Sequence, residues 1–221
     1  MLIKHGSRGE TVAMVQRMLN LIPDGIFGRL TKEAVTAFQT ECGLKADGII
    51  GPKTWAELIS RVPMIPTQRR IDKIIVHCTA TREGKLVTVQ DIRSWHLRQG
   101  WADIGYHYVV GLDGTTHKGR DINLVGAHCS GQNTGSIGIV YVGGLAADGK
   151  TPKDTRTKEQ KLELETLIFM LKSFYPKAQV YGHRDFAKKD CPCFDARKEY
   201  GAVGLMGLMG EMGIMGFIIC N

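Results

Sequence analysis

From residue 73 to residue 182, short β-type apolar runs alternate with amphipathic helical stretches. That alternation restricts the fold more than any other feature of the 221-residue chain. Lys73-Ile-Ile-Val76 reads as a buried strand that ends at His77. Thr88 to Gln99 carries Ile92 and Trp95 at helical spacing and is stopped by Gly100. Tyr106 to Val110 and Thr115 to Lys118 flank Gly-Leu-Asp-Gly, a hairpin turn. Ser136 to Val142 reads as a strand. Thr157 to Tyr175 reads as a long helix with Leu164, Leu167, Ile168, Leu171 and Phe174 near one face. Gln179 to Gly182 is a strand leading into His183. Strands interleaved with helices predict an α/β domain over residues 71–200, with a central mixed β-sheet flanked by helices.

Residues 1–60 follow a different rule. Asp24-Gly-Ile-Phe-Gly28 recurs as Asp47-Gly-Ile-Ile-Gly51, 23 residues later, and a helical pattern follows each copy. Thr31 is expected to N-cap the first of these helices, with Ala34, Val35, Phe38 and Cys42 on one face. Pro52 stands where a first helical residue belongs, ahead of Trp55, Leu58 and Ile59. A third amphipathic helix, with Val12, Val15, Met18 and Leu19, follows Gly9-Glu10. The prediction is a small three-helix all-α domain. Residues 61–70, with Pro63 and Pro66 and no periodicity, read as a stiff linker.

Apolar residues at 43% and charged residues at 23% exclude wholesale disorder. The net charge of +7 favours a polyanionic partner without choosing between nucleic acid, wall polymer and membrane surface. Six cysteines are too few for a disulfide scaffold. Met1-Leu-Ile-Lys-His-Gly has no apolar core, so no cleavable signal peptide is visible and synthesis in a reducing cytoplasm is expected. In residues 201–221 glycine recurs at 201, 204, 207, 210, 213 and 216 among Leu, Met, Ile and Phe. This Gly/Met-rich apolar tail is read either as low-complexity chain or as a membrane-seeking segment.

Histidine and cysteine supply the candidates for chemistry. His77, His128 and His183 stand at strand ends or in loops, and Cys191 and Cys193 follow. A catalytic zinc takes three protein ligands from His, Cys and carboxylate and keeps a fourth position for water. A strand-end His, a second His 106 residues later and a Cys eight positions beyond could meet at one sheet edge. The same spacing also fits satisfied core histidines.

Two resemblances narrow these readings. Gly9 to Leu58, with its two Asp-Gly turns, Ala34-Val-x-x-Phe-Gln39 and Gly51-Pro-x-Thr-Trp55, resembles the type 1 peptidoglycan-binding domain. Between Ile71 and Arg197 a series of motifs occurs in order: Val76-His-Cys-Thr-Ala-Thr81, Trp101-x-x-x-Gly-Tyr-His-Tyr108, Gly119-Arg-Asp121, Gly126-Ala-His128, Ser136-Ile-Gly138, Gly182-His-Arg-Asp185 and Lys189-Asp-Cys-Pro-x-Phe-Asp195. This series resembles the type 2 N-acetylmuramoyl-L-alanine amidases, which include phage lysozyme-like amidases and animal peptidoglycan recognition proteins. The resemblance implies Zn2+ held by His77, His183 and Cys191, catalytic side chains at Tyr106 and Lys189, and a substrate-binding loop histidine at His128. Cys193 departs from those relatives, in which a small non-thiol residue stands there, and it opens an alternative metal contact.

What the resemblance implies is a peptidoglycan hydrolase, a monomeric bacteriolytic endolysin of a phage or prophage. It would use zinc-activated water to cut the amide between N-acetylmuramic acid and the L-alanine of the stem peptide. Its expected partner is bacterial peptidoglycan, with membrane contact through the tail open and no nucleic acid expected. Made in the host cytoplasm, it would reach the cell wall after holin-type release. Two rivals stay open: a recognition module that binds wall fragments without cutting, and an amidase that also regulates a polymerase. Cys191, Tyr106 and Lys189 together favour an enzyme.

Overall fold

The computed structural model describes residues 2–61 and 67–203. The chain divides into two compact units, Met1–Met64 and Ile65–Val203. The tail beyond residue 203, and with it the membrane-contact expectation, lies outside the described residues.

Among the described residues the first unit holds three helices, α1 (Glu10–Met18), α2 (Arg29–Glu41) and α3 (Pro52–Ser60). The 23-residue repeat reappears as a duplicated hydrogen-bond network. Gln16 Nε2 donates to Asp24 Oδ1, Ile26 O and Thr31 Oγ1, and its Oε1 accepts from Gly25 N–H. Gln39 makes the same four bonds to Asp47, Ile49, Thr54 and Gly48. Each Asp-Gly turn is thereby tied to the helix before it and to the helix after it. This network also explains a departure from expectation at Thr31. The N-cap of α2 is Gly28, and Thr31 is buried inside the helix, claimed by the Gln16 amide.

The second unit is built on a five-stranded sheet in the order β4-β3-β5-β1-β7. Its strands are β1 (Lys73–Cys78), β3 (Tyr108–Val110), β4 (Thr116–Lys118), β5 (Ser136–Tyr141) and β7 (Gln179–Gly182). A two-stranded sheet pairs β2 (Thr81–Arg82) with β6 (Gly144–Leu145). β1 lies parallel to both β5 and β7, β3 lies parallel to β5, and β4 runs antiparallel to β3 across the predicted turn. This is the mixed sheet that the alternating pattern predicts. Two helices start on capping boxes written in the sequence: Thr88 with Asp91 for α4 (Val89–Arg98), and Thr157 with Gln160 for α5 (Lys158–Phe174). A short α6 (Ala196–Tyr200) closes the unit.

Strand alternation decides which side chains share a face. His77 is paired in register with Val140, and Val140 with Val109. Val109 and Val140 pack with Ile92 of α4, Ile104 and Val142 in one buried cluster. His77 therefore lies on the α4 face of the sheet, at the carboxyl end of β1. Cys78, the next residue, and its register partner Tyr141 belong to the opposite face.

Candidate active site

Three backbone segments converge at the carboxyl end of β1. The strand itself brings His77. β7 ends at Gly182, and the chain turns at once into a single 3-10 turn, His183–Asp185. The turn is held by Asp185 Oδ2, which accepts Gly182 N–H at 2.8 Å. The third segment carries Cys191 and is fastened at two points. Arg184 N–H donates to Cys191 O at 2.7 Å, and the buried Tyr141 hydroxyl donates to Pro192 O at 2.7 Å. The fit is close: a Cβ on Gly182 would come within 2.6 Å of Pro192 Cδ, so glycine lets the strand end and the loop approach.

The result is one compact group of ligand-type atoms. His77 Nδ1 lies 3.1 Å from His183 Nδ1, and Cys191 Sγ lies 3.8 Å from His77 Nδ1. All three ligand atoms lie within 4.8 Å of one another. Their protonation suits a metal. Burial, with the nearby His128, His183 and Lys189, holds His77 well below the ordinary imidazole range. Burial and then Lys189 lower His183. The Cys191 thiol is held below its usual value by hydrogen bonding with Cys78, including the Cys78 N–H at 3.3 Å, and by Lys189. Two neutral imidazoles and a sulfur disposed to ionise form a donor set that could hold zinc and would leave a position for water.

His128 sits behind His77. It is 6% exposed, and its Nδ1 lies 3.0 Å from His77 Nε2. With His77 Nδ1 given to a metal, Nε2 would carry the proton and donate to His128. His128 Nε2 then donates to Ser136 Oγ at 3.3 Å, and the Ser136 hydroxyl donates to Asn133 O at 3.3 Å. The chain ends on a carbonyl, which can only accept. Asn133 also clamps the loop, its Oδ1 accepting the N–H groups of His128 and Cys129 at 2.9 Å. The ring is seated over Gly138 of β5, where any Cβ would run into it.

Tyr106 is half-buried beside the group, its ring 5.1 Å from that of His77 and 5.4 Å from that of His96. Burial pushes its phenol up. Lys189 is exposed, and its charge is felt by His77, His183 and Cys191. Neighbouring histidines are occupied elsewhere. His96 Nδ1 accepts Gly105 N–H, and its ring stacks on Trp101 at 4.4 Å. His107 Nδ1 accepts Gly138 N–H at 2.9 Å, and burial holds its pKa at about 4. Cys193 points away from the ligand group, toward Cys78 and Gly144 O. Ser136, Asn133 and Tyr141 were not singled out in the sequence. The Ser136-Ile-Gly138 motif held the first of them, but nothing local marks its partner.

Comparison with known proteins identifies the family of each unit. Residues 67–194, more than half of the chain, match the N-acetylmuramoyl-L-alanine amidase family. Residues 8–58 match a peptidoglycan binding domain family. The endolysin of Enterobacteria phage K11 is 40% identical over 131 residues, covering 59% of this chain and 86% of that protein. The endolysin of Escherichia phage T7 is 42% identical over 127 residues, covering 58% and 83%. Among solved structures, the N-acetylmuramoyl-L-alanine amidase LysC from Clostridium intestinale URNW superposes with a TM-score of 0.51 at 25% identity, covering 68% of this chain and 92% of that one. A mixed sheet that gathers two histidines and a cysteine at one strand end, in a sequence that matches from residue 67 to residue 194, places the chain in the N-acetylmuramoyl-L-alanine amidase family.

Proposed function

We propose that this chain is a zinc-dependent endolysin with His77, His183 and Cys191 as the metal ligands and Tyr106 and Lys189 at the reacting bond. The family's reaction is hydrolysis of the amide joining N-acetylmuramic acid to the L-alanine of the stem peptide in peptidoglycan. The observation that carries the assignment is the approach of three ligand atoms to within 4.8 Å beside a half-buried phenol and an exposed ammonium.

Held by His77, His183 and Cys191, zinc would supply Lewis acidity toward water and the carbonyl oxygen. The protein supplies the rest. His128 holds the His77 ring in the tautomer that leaves Nδ1 free. Tyr106 is protonated at neutral pH and presents a hydrogen-bond donor beside His77. Lys189 presents a positive charge where the carbonyl oxygen becomes negative. One such donor typically contributes about a hundredfold to a thousandfold in rate. His128 thus acts through His77 in this reading.

The first unit acts as a wall anchor, a reading supported by its match to a peptidoglycan-binding family. The endolysin relatives support action at the cell wall, and release from the host cytoplasm is part of the same proposal.

The test is digestion of purified peptidoglycan with and without chelator and added zinc, with the new ends read by mass spectrometry. Free stem peptides beginning at L-alanine beside intact glycan are expected, lost with chelator and with Cys191→Ser. Binding of zinc-loaded protein without new ends would replace the hydrolase reading with a recognition module.

A further inference from the structure

The loop that carries Cys191 grips the end of β1 from both sides. On the α4 face, Cys191 Sγ approaches His77 Nδ1 at 3.8 Å. On the other face lie Cys78 and its register partner Tyr141, whose hydroxyl holds Pro192 O. Cys193 follows with φ +71°, a left-handed backbone rare for a residue with a Cβ, in a turn closed by Cys193 N–H to Asp190 O at 2.6 Å. Its thiol lies 3.8 Å from Cys78 Sγ and donates to Gly144 O at 3.1 Å. Cys78 is 6% exposed and Cys193 is half-buried. The hydrolytic reaction uses neither thiol.

We propose that Cys78 and Cys193 form a disulfide site, closed in an oxidising compartment, that fastens the ligand loop to β1 and leaves Cys191 free for metal. The two sulfurs, 3.8 Å apart, must approach to about 2.05 Å, a movement of under 2 Å. The oxidant is a small external disulfide such as oxidised glutathione. The Cys193 thiol, the more exposed of the pair, loses its proton and attacks that disulfide. This forms a mixed disulfide and expels one glutathione thiolate. Cys78, deprotonated in turn, attacks the Cys193 sulfur and expels the second. Two protein thiols are oxidised, one external disulfide is reduced, and both protons end on the two released glutathione molecules. The residues stand 115 positions apart, so the cross-link removes much of the freedom of the unfolded chain.

That the protein meets an oxidising compartment rests on its action at the wall. The thiol chemistry does not, and its test reads no amidase activity. The zinc-loaded full chain is incubated with oxidised glutathione, denatured, alkylated, and mapped by mass spectrometry. The alkylatable thiols should fall from six to four, with one linked peptide pair joining Cys78 to Cys193. Zinc content should be unchanged, and Tm should rise by roughly 5–15 °C, reversed by dithiothreitol. Cys193→Ser and, separately, Cys78→Ala should each abolish the link and the rise. Six alkylated thiols after oxidation would overturn the proposal, as would linkage of Cys191 to either neighbour with loss of zinc.

Discussion

A metal-ligating imidazole keeps its aim when its second nitrogen is held. For His77 that nitrogen meets His128 Nδ1 at 3.0 Å, and Ser136 and Asn133 O continue the chain. His128→Ala is expected to lower zinc affinity about 10- to 100-fold. His128→Asn, which keeps a polar atom near the place of Nδ1, should recover much of that loss. Competition against a chromophoric zinc chelator checks both, and equal affinity for wild type and His128→Ala would remove His128 from the support of the ligand. At this scale the sequence was only partly legible. His77, His183 and Cys191 stand in distinctive neighbourhoods, so that they come together could be anticipated without a structure. His128 could be named, but not its role. Its partner lies 51 positions away, and its seat depends on Gly138 having no side chain. Cys193 was legible as an anomaly, while the direction of its thiol depended on a backbone conformation no spacing predicts.

Elements were more legible than contacts. The alternation from Lys73 to Gly182 anticipates the mixed sheet, and the Thr88 and Thr157 helix starts coincide with capping boxes. The repeat in the first unit shows what pattern reading misses. Asp-Gly turns are visible as turns, but Gln16 and Gln39 look like ordinary polar helix residues. Burial makes each of them the tie between a turn and two helices, and Thr31 is drawn inside α2 as a consequence. Gln39→Leu conserves much of the volume but strands Gly48 N–H and Ile49 O away from the amide that served them. The expected cost is about 2–4 kcal/mol, the range for several buried partners losing one group. Hydrogen exchange over residues 2–61 of the full chain should lose protection by about 30- to 1000-fold, while the sheet amides of β1 and β5 keep theirs. Unchanged exchange in the first unit would show that the network adds nothing to stability.

At the scale of the whole molecule, the proposed chemistry and the proposed anchoring fall to separate compact units. Every group assigned to the reaction lies between His77 and Cys191, within Ile65–Val203. Among the described residues the candidate metal ligands all belong to the second unit, so under the proposed function the first unit acts on hydrolysis through concentration. A weak binder joined to a catalytic domain converts each encounter with the wall into many local ones without changing the cleft. Deleting residues 1–60 should therefore leave turnover of a small soluble muramyl peptide within about twofold of the full chain. On insoluble wall at low enzyme concentration the same deletion should slow release of stem peptides by about 10- to 100-fold, and the deficit should shrink as enzyme concentration rises. Parallel progress curves on the two substrates separate this from damage to the catalytic unit. Equal losses on both would mean that the first unit supports the fold of the second, and no loss on the wall would mean that it is not an anchor there.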